Sequence, residues 1–190
     1  PIYQAVTSEP TYHYAAKEGH VGIFTLGNRS LFGPRWARFA ELIEQYQGRK
    51  ATGADRMVVV QVHIGETREE AFARFRPAHD ERNRFLGAQR PLSGYLDEDG
   101  KPFGFGRMPT LEESMAQGSW LVGTPEDVRD GMLELKERFG LEAVAVEMGY
   151  SGMSKAEVSE QIARFGVEIM PAPNGETGAT VSEAPVAATA

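Results

Sequence analysis

The feature that most constrains this chain is the run 57–64, Met-Val-Val-Val-Gln-Val-His-Ile. Three consecutive β-branched valines favour an extended backbone, and a short, almost wholly apolar run suits a buried strand of a parallel sheet. Three similar runs flank it: Ile2, Tyr3, Ala5 and Val6; residues 21–26 (VGIFTL); and residues 143–148 (AVAVEM). Each precedes a stretch with helical apolar spacing. Alternation of this kind predicts an α/β fold with a parallel sheet and helices on one face.

The helix signals are local. Ser8 and Pro10 open a helix through Tyr12, Ala15 and Ala16 that Gly19 should end in a left-handed conformation. Pro34 is read as the start of a helix presenting Trp36, Phe39, Leu42, Ile43 and Tyr46. Thr67-x-x-Glu70 is a capping box ahead of Ala71, Phe72 and Phe75, and Pro77 is expected to kink or break that helix. Thr124-Pro125 starts a helix with the stripe Val128, Met132, Leu135 and Phe139; Gly131 within it implies a close neighbour, and Gly140 ends it. Ser154-x-x-Glu157 opens the last helix, with Val158, Ile162 and Phe165 as its buried stripe. Residues 86–122 carry aromatic and glycine residues without periodicity, apart from a short helical stretch at 111–116, and read as a lid-like insertion or a disordered loop. Residues 172–190 are read as a disordered tail.

Composition removes several function classes. A net charge of −7 argues against a nucleic-acid partner, and the lack of cysteine removes thiolate chemistry and disulfides. No apolar run approaches a membrane span and no signal peptide is recognised, so no membrane partner is expected and the cytoplasm is the default location. The four histidines show no metal-ligand spacing, so no metal is expected. The sequence Gly149-Tyr150-Ser151-Gly152 is one residue short of a nucleophile elbow, which rejects a hydrolase.

Two regions attract chemistry. Where the first strand meets its helix, Thr7, Ser8 and Thr11 bring hydroxyls to a helix N-terminus, a geometry suited to a phosphate but shared by any capped strand–helix turn. At the ends of the later strands, Gln61, His63, Glu147 and the 149–152 loop are pocket candidates. His63 faces away from Val62 and Ile64, into a pocket or, as expected here, beyond the rim in solvent. His13 and His20 are expected to be exposed, and His79 to sit on a solvated helix face.

Several blocks, in order, resemble the bacterial-luciferase-like, flavin-dependent monooxygenases: Pro1-Ile2-Tyr3-Gln4-Ala5 with Ser8-x-x-Thr11 and Ala15-Ala16-x-x-Gly19; Glu66-Thr67-x-Glu69-Glu70-Ala71; Val122-Gly123-Thr124-Pro125-Glu126-Asp127-Val128; Met148-Gly149-Tyr150-Ser151-Gly152-Met153; and Phe165-Gly166-x-Glu168-Ile169-Met170-Pro171. The resemblance implies that residues 1–171 are the C-terminal half of a TIM-type (β/α)8 barrel, equivalent to its strands five to eight. It implies reduced FMN, or the deazaflavin F420, as cofactor, with Ser8, Thr11 and Thr7 at the flavin phosphate; luciferases carry an acidic residue at the Thr7 position. Oxygen and a small molecule would be the substrates, a flavin reductase a possible supplier, and a homo- or hetero-oligomer the assembly. The alternatives are an F420-dependent oxidoreductase of the same superfamily, or a non-catalytic flavin-binding or assembly subunit of the same lineage. The reactive-site residues are expected in the other half of the barrel, so none is assigned here. The chain alone is expected to be inactive and to self-associate, with apolar groups such as the 58–60 run facing water.

Overall fold

The computed structural model describes residues 1–25, 27–92, 94–118 and 120–171. The tail at 172–190 lies outside the described residues. The elements, in chain order, are β1 (Tyr3–Ala5), α1 (Glu9–Glu18), β2 (Val21–Thr25), α2 (Phe32–Gln47), β3 (Arg56–Ile64), α3 (Arg68–Gly87), α4 (Leu111–Ala116), β4 (Trp120–Gly123), α5 (Pro125–Phe139), β5 (Val144–Glu147) and α6 (Lys155–Arg164), with a wide helical turn at Phe165–Ile169.

All strand pairings are parallel, and β3 is the centre of the sheet. Val58 and Val59 pair with Phe24 and Thr25 on one edge and with Val144 and Ala145 on the other, giving the row β1–β2–β3–β5. These four strands fall where the apolar runs predict them. The fifth, β4, lies in the segment read as a lid. Gln61 pairs with both Trp120 and Glu147, so β4 continues along the β2 edge of β3, past the point where β2 ends.

The alternation of side chains along β3 decides what is covered. Val58, Val60, Val62 and Ile64 are fully buried with Phe24 under apolar residues of α1, α2, α5 and the turn after α6. The expectation that the 58–60 run faces water is therefore corrected: Val59 alone of the three points to the other face, and it is half-buried. Along that other face Met57 and Val59 stay partly open, whereas Gln61 and His63 are covered. The cover is α3 and α4, whose Phe75, Ala78 and Leu111 pack with Trp120, Val122 and Tyr150 in a second cluster. The helices leading to β2, β3 and β5 thus share one face, and α3 and α4 add a cap over the C-terminal end of the opposite one.

Pro77 does not break α3, which runs unbroken from Arg68 to Gly87. Its missing N–H frees the carbonyl of Ala73, and both residues are on the exposed side, where water can serve that oxygen. Tyr46 and Ile162 also leave their expected stripes: Tyr46 is exposed and accepts from or donates to His13 Nδ1 at 2.8 Å, and Ile162 is 55% exposed. Gln161 is buried instead, because β5 stops opposite Gln61 and leaves the next backbone groups of β3 unpaired. Val62 N donates to Tyr150 Oη at 3.2 Å. Ile64 N donates to Gln161 Oε1 at 2.7 Å, and Gln161 Nε2 donates to Ile64 O at 2.8 Å. A side-chain amide thus takes the place of a strand peptide and fixes α6 to the sheet.

The expected caps form. Gly19 and Gly140 adopt φ of 71° and 57° at the ends of α1 and α5. Ser154 and Glu157 cap α6 reciprocally, at 2.7 and 3.2 Å. A Cβ on Gly131 would lie 2.6 Å from Leu121 Cδ2, the close approach that a mid-helix glycine implies.

Candidate functional site

The C-terminal ends of β1, β2 and β3 open on one cleft of about 330 Å³. In a parallel sheet this is where loops diverge and ligands find room. Its walls include Thr7 after β1, Thr25 at the end of β2, Gln61 on β3, Arg35 on α2, Arg82 on α3 and Arg90 beyond it.

At the β1–α1 junction the backbone N–H groups of Thr7 and Ser8 converge, as the strand–Ser-x-x-Thr–helix pattern requires. They converge on Thr11 Oγ1, at 3.1 and 3.0 Å, and that hydroxyl donates to Ser8 O at 2.8 Å. The Thr11 oxygen therefore stands where an anion's oxygen would accept from the same donors. Ser8 Oγ lies 3.3 Å from Thr11 Oγ1. Ser8 and Thr7 are exposed, and Thr7 reaches the cleft wall.

At the end of β3, Gln61 Nε2 donates to Glu147 Oε2 at 3.0 Å, and Arg82 approaches the same carboxylate oxygen at 3.8 Å. Gln61 is buried and lines the cleft; Glu147 is half-buried beside it. The structure thus joins two of the pocket candidates directly. His63 is the exception. It is 3% exposed rather than at a solvated rim, stacked on Phe75 with ring centroids 5.0 Å apart. Neither ring nitrogen has a hydrogen-bond partner among the described residues. Burial, reinforced by Arg74, lowers its pKa to about 4, so the ring is neutral at physiological pH. It does not line the cleft.

His79 is likewise not on a solvated face but fully buried. Its Nδ1 contacts Asp80 Oδ1 at 2.8 Å, and its Nε2 meets Ser114 Oγ at 2.9 Å and Asn83 Nδ2 at 2.8 Å. This network clamps α3 to α4. His13 and His20 are half-buried. The segment after α3 also packs inward: Leu92, Tyr95 and Phe103 form a small cluster, and Trp120 Nε1 donates to Tyr95 Oη at 2.8 Å. A Cβ on Gly27 would lie 2.1 Å from Gly94 O, so the loop after β2 and the insertion meet backbone to backbone. Leu92 and Tyr95 thereby become a wall of the cleft.

Sequence reasoning missed the three arginines, because they come from separate elements and share no motif. Among the described residues no His, Asp and Glu cluster is arranged to hold a metal, and no helix is long and apolar enough to cross a membrane.

Comparison with known proteins follows the same lines. The family model of luciferase-like monooxygenases matches residues 1–142. No curated protein sequence matches. Among solved structures, monooxygenase RslO1 from Streptomyces bottropensis superimposes with a TM-score of 0.65 at 21% identity, over 90% of this chain and 47% of that one. The oxygenating constituent of 3,6-diketocamphane monooxygenase from Pseudomonas putida, solved with FMN, gives 0.68 at 17% identity, over 90% and 47%. EDTA monooxygenase EmoA from Chelativorans sp. BNC1 gives 0.61 at 17% identity, over 91% and 44%. The chain thus spans about half the length of these structures, and the likeness is one of fold.

Proposed function

This chain belongs to the luciferase-like monooxygenase family, and on that premise we propose that it supplies half of a (β/α)8 barrel that binds FMN and carries out a flavin-dependent monooxygenation. The observation that carries the reading is the cleft at the C-terminal ends of β1, β2 and β3, hydroxyl-lined and cationic, beside a sheet face left partly open by its own helices. Its donors suit a phosphate dianion: the Thr7 hydroxyl and three guanidinium groups in the cleft wall, with the exposed Ser8 hydroxyl next to Thr7 at the N-terminus of α1. When bound, reduced flavin supplies two electrons, so that one atom of oxygen enters the substrate and the other leaves as water.

The chain's own residues have separate tasks. Thr7 and Ser8 donate to the phosphate, and Thr11 joins them by turning its hydroxyl away from Ser8 O. The half-buried apolar face of Met57 and Val59 receives a flat ring. Gln61, held by Glu147, presents a fixed amide to the ring or substrate. The insertion, through Leu92 and Tyr95, excludes water. His63, buried against Phe75, is not part of the cleft wall. The other half of the barrel covers the open face, where Tyr3 is 45% exposed; without it the chain self-associates and turns over no substrate. A flavin reductase feeding reduced FMN, an oligomeric assembly and a cytoplasmic location, where such reductants are made, complete the reading.

The test is oxygen uptake by the full-length protein with a flavin reductase, NADH and FMN, against a panel of carbonyl substrates. Substrate-dependent uptake with an oxygenated product supports the reading. FMN binding without turnover on any substrate points instead to a flavin-binding subunit, and no FMN binding removes it.

A further inference from the structure

Charge is distributed unevenly around the cleft. The chain carries 27 acidic and 20 basic residues, yet the cleft wall holds Arg35, Arg82 and Arg90 and no carboxylate. Most arginines elsewhere are neutralised, Arg29 by Glu134, Arg68 by Asp127 and Arg164 by Glu168 among them. Arg82 has a partial partner in Glu147 at 3.8 Å and lies over the Trp120 ring, 5.3 Å from its centroid. The guanidinium groups of Arg35 and Arg90 make no hydrogen bond or ion pair among the described residues. Like charges facing one space repel unless an anion enters it.

A second observation is independent of charge. Asn83 also lines the cleft and is 1% exposed. Its Nδ2 is spent on His79 Nε2, which must accept because Nδ1 faces Asp80 Oδ1. Asn83 Oδ1 is left without a hydrogen-bond partner among the described residues. A buried acceptor without a donor is uncommon and costly, and it calls for an N–H or O–H from outside the chain. Leu86, Leu92 and Tyr95 supply apolar wall beside these groups.

We propose that this cleft binds the oxyanion of a small organic acid, a carboxylate, sulfonate or phosphate, whose neighbouring N–H or O–H donates to Asn83 Oδ1. The proposal rests on the reading of the cleft as the flavin-dependent site and adds the substrate class. The same chemistry has two sources, the acid group of the substrate and the phosphate of the flavin itself. A guanidinium contributes a charge-assisted hydrogen bond in either case.

Calorimetric titration of the full-length protein separates them. The probes are hexanesulfonate, hexanoate and neutral hexanamide, and then FMN and riboflavin. The variants are Arg35→Gln and Arg90→Gln, with Arg35→Lys and Arg90→Lys as charge-retaining controls for folding. The expected result is that an acid probe binds more tightly than hexanamide and that each Gln variant weakens it by about tenfold, the size of one charge-assisted hydrogen bond, with the Lys variants less affected. If the acid probes respond and FMN does not, the oxyanion is the substrate's. If FMN weakens in the Gln variants while riboflavin does not, it is the flavin's phosphate. Equal binding of acids and amide, with neither probes nor FMN sensitive to the Gln variants, overturns the proposal. Hexanesulfonate is read without flavin, so failure to bind FMN in the wild type counts against the flavin reading alone.

Discussion

Replacing Gln161 by Leu tests the join between α6 and the sheet. Gln161 is 1% exposed, and its amide serves both the N–H and the C=O of Ile64, at 2.7 and 2.8 Å. Leucine keeps the volume but offers neither donor nor acceptor, so two buried backbone groups lose their partners. Each such group costs about 1–3 kcal/mol, which sets the expected loss at about 2–6 kcal/mol, a large share of a typical domain's stability. Urea unfolding followed by far-UV circular dichroism reads this as a lower midpoint with an unchanged slope. Ile162→Gln, at the exposed neighbouring position, should stay within about 0.5 kcal/mol of wild type. A loss below about 1 kcal/mol for Gln161→Leu would refute the reasoning, because Ile64 would then have another way to satisfy its backbone.

His63 gives a pH signature. Its folded pKa of about 4 lies below the ordinary 6.5, so its contribution is fully present above pH 6.5 and is lost as pH falls towards 4, by up to about 1.4 kcal/mol per pH unit. His63→Phe should flatten that part of the stability profile, measured by urea midpoints across the range; parallel profiles would contradict the burial argument. The loss from Asp127, whose pKa is held at about 2 chiefly by Arg68, falls at lower pH and should persist in the variant. Gly131→Val should lower stability by about 1–3 kcal/mol, because the added carbon meets Leu121 Cδ2 at 2.6 Å; an unchanged melting temperature would show that β4 and α5 are not in close contact.

The parts of the fold legible in the sequence were those set by local pattern. The apolar runs locate β1, β2, β3 and β5, and the caps at Thr124 and Ser154 locate α5 and α6. What escaped depends on partners distant in the chain. Strand β4 is four residues long and sits in a glycine- and aromatic-rich stretch, so only its pairing with β3 defines it. His79 looks like one more polar residue on a polar helix until Asn83 and Ser114 close around it. Ile162 and Gln161 exchange roles because a strand edge, invisible to helical periodicity, needs an amide. At the site, Ser8 and Thr11 were legible as a helix start, and Gln61 and Glu147 as strand ends. The arginine wall was not, since Arg35, Arg82 and Arg90 meet only through the sheet topology.

The central claim, that the strand ends hold FMN by its phosphate, is tested most directly by comparing FMN with riboflavin in the full-length protein carrying Thr7→Ala, Ser8→Ala and Thr11→Ala together. Equilibrium dialysis should show FMN bound more tightly than riboflavin in the wild type, and the triple variant should lose that preference by about tenfold or more while riboflavin is unchanged. Equal affinity for the two flavins in the wild type, or an FMN preference that survives the triple substitution, would contradict the account.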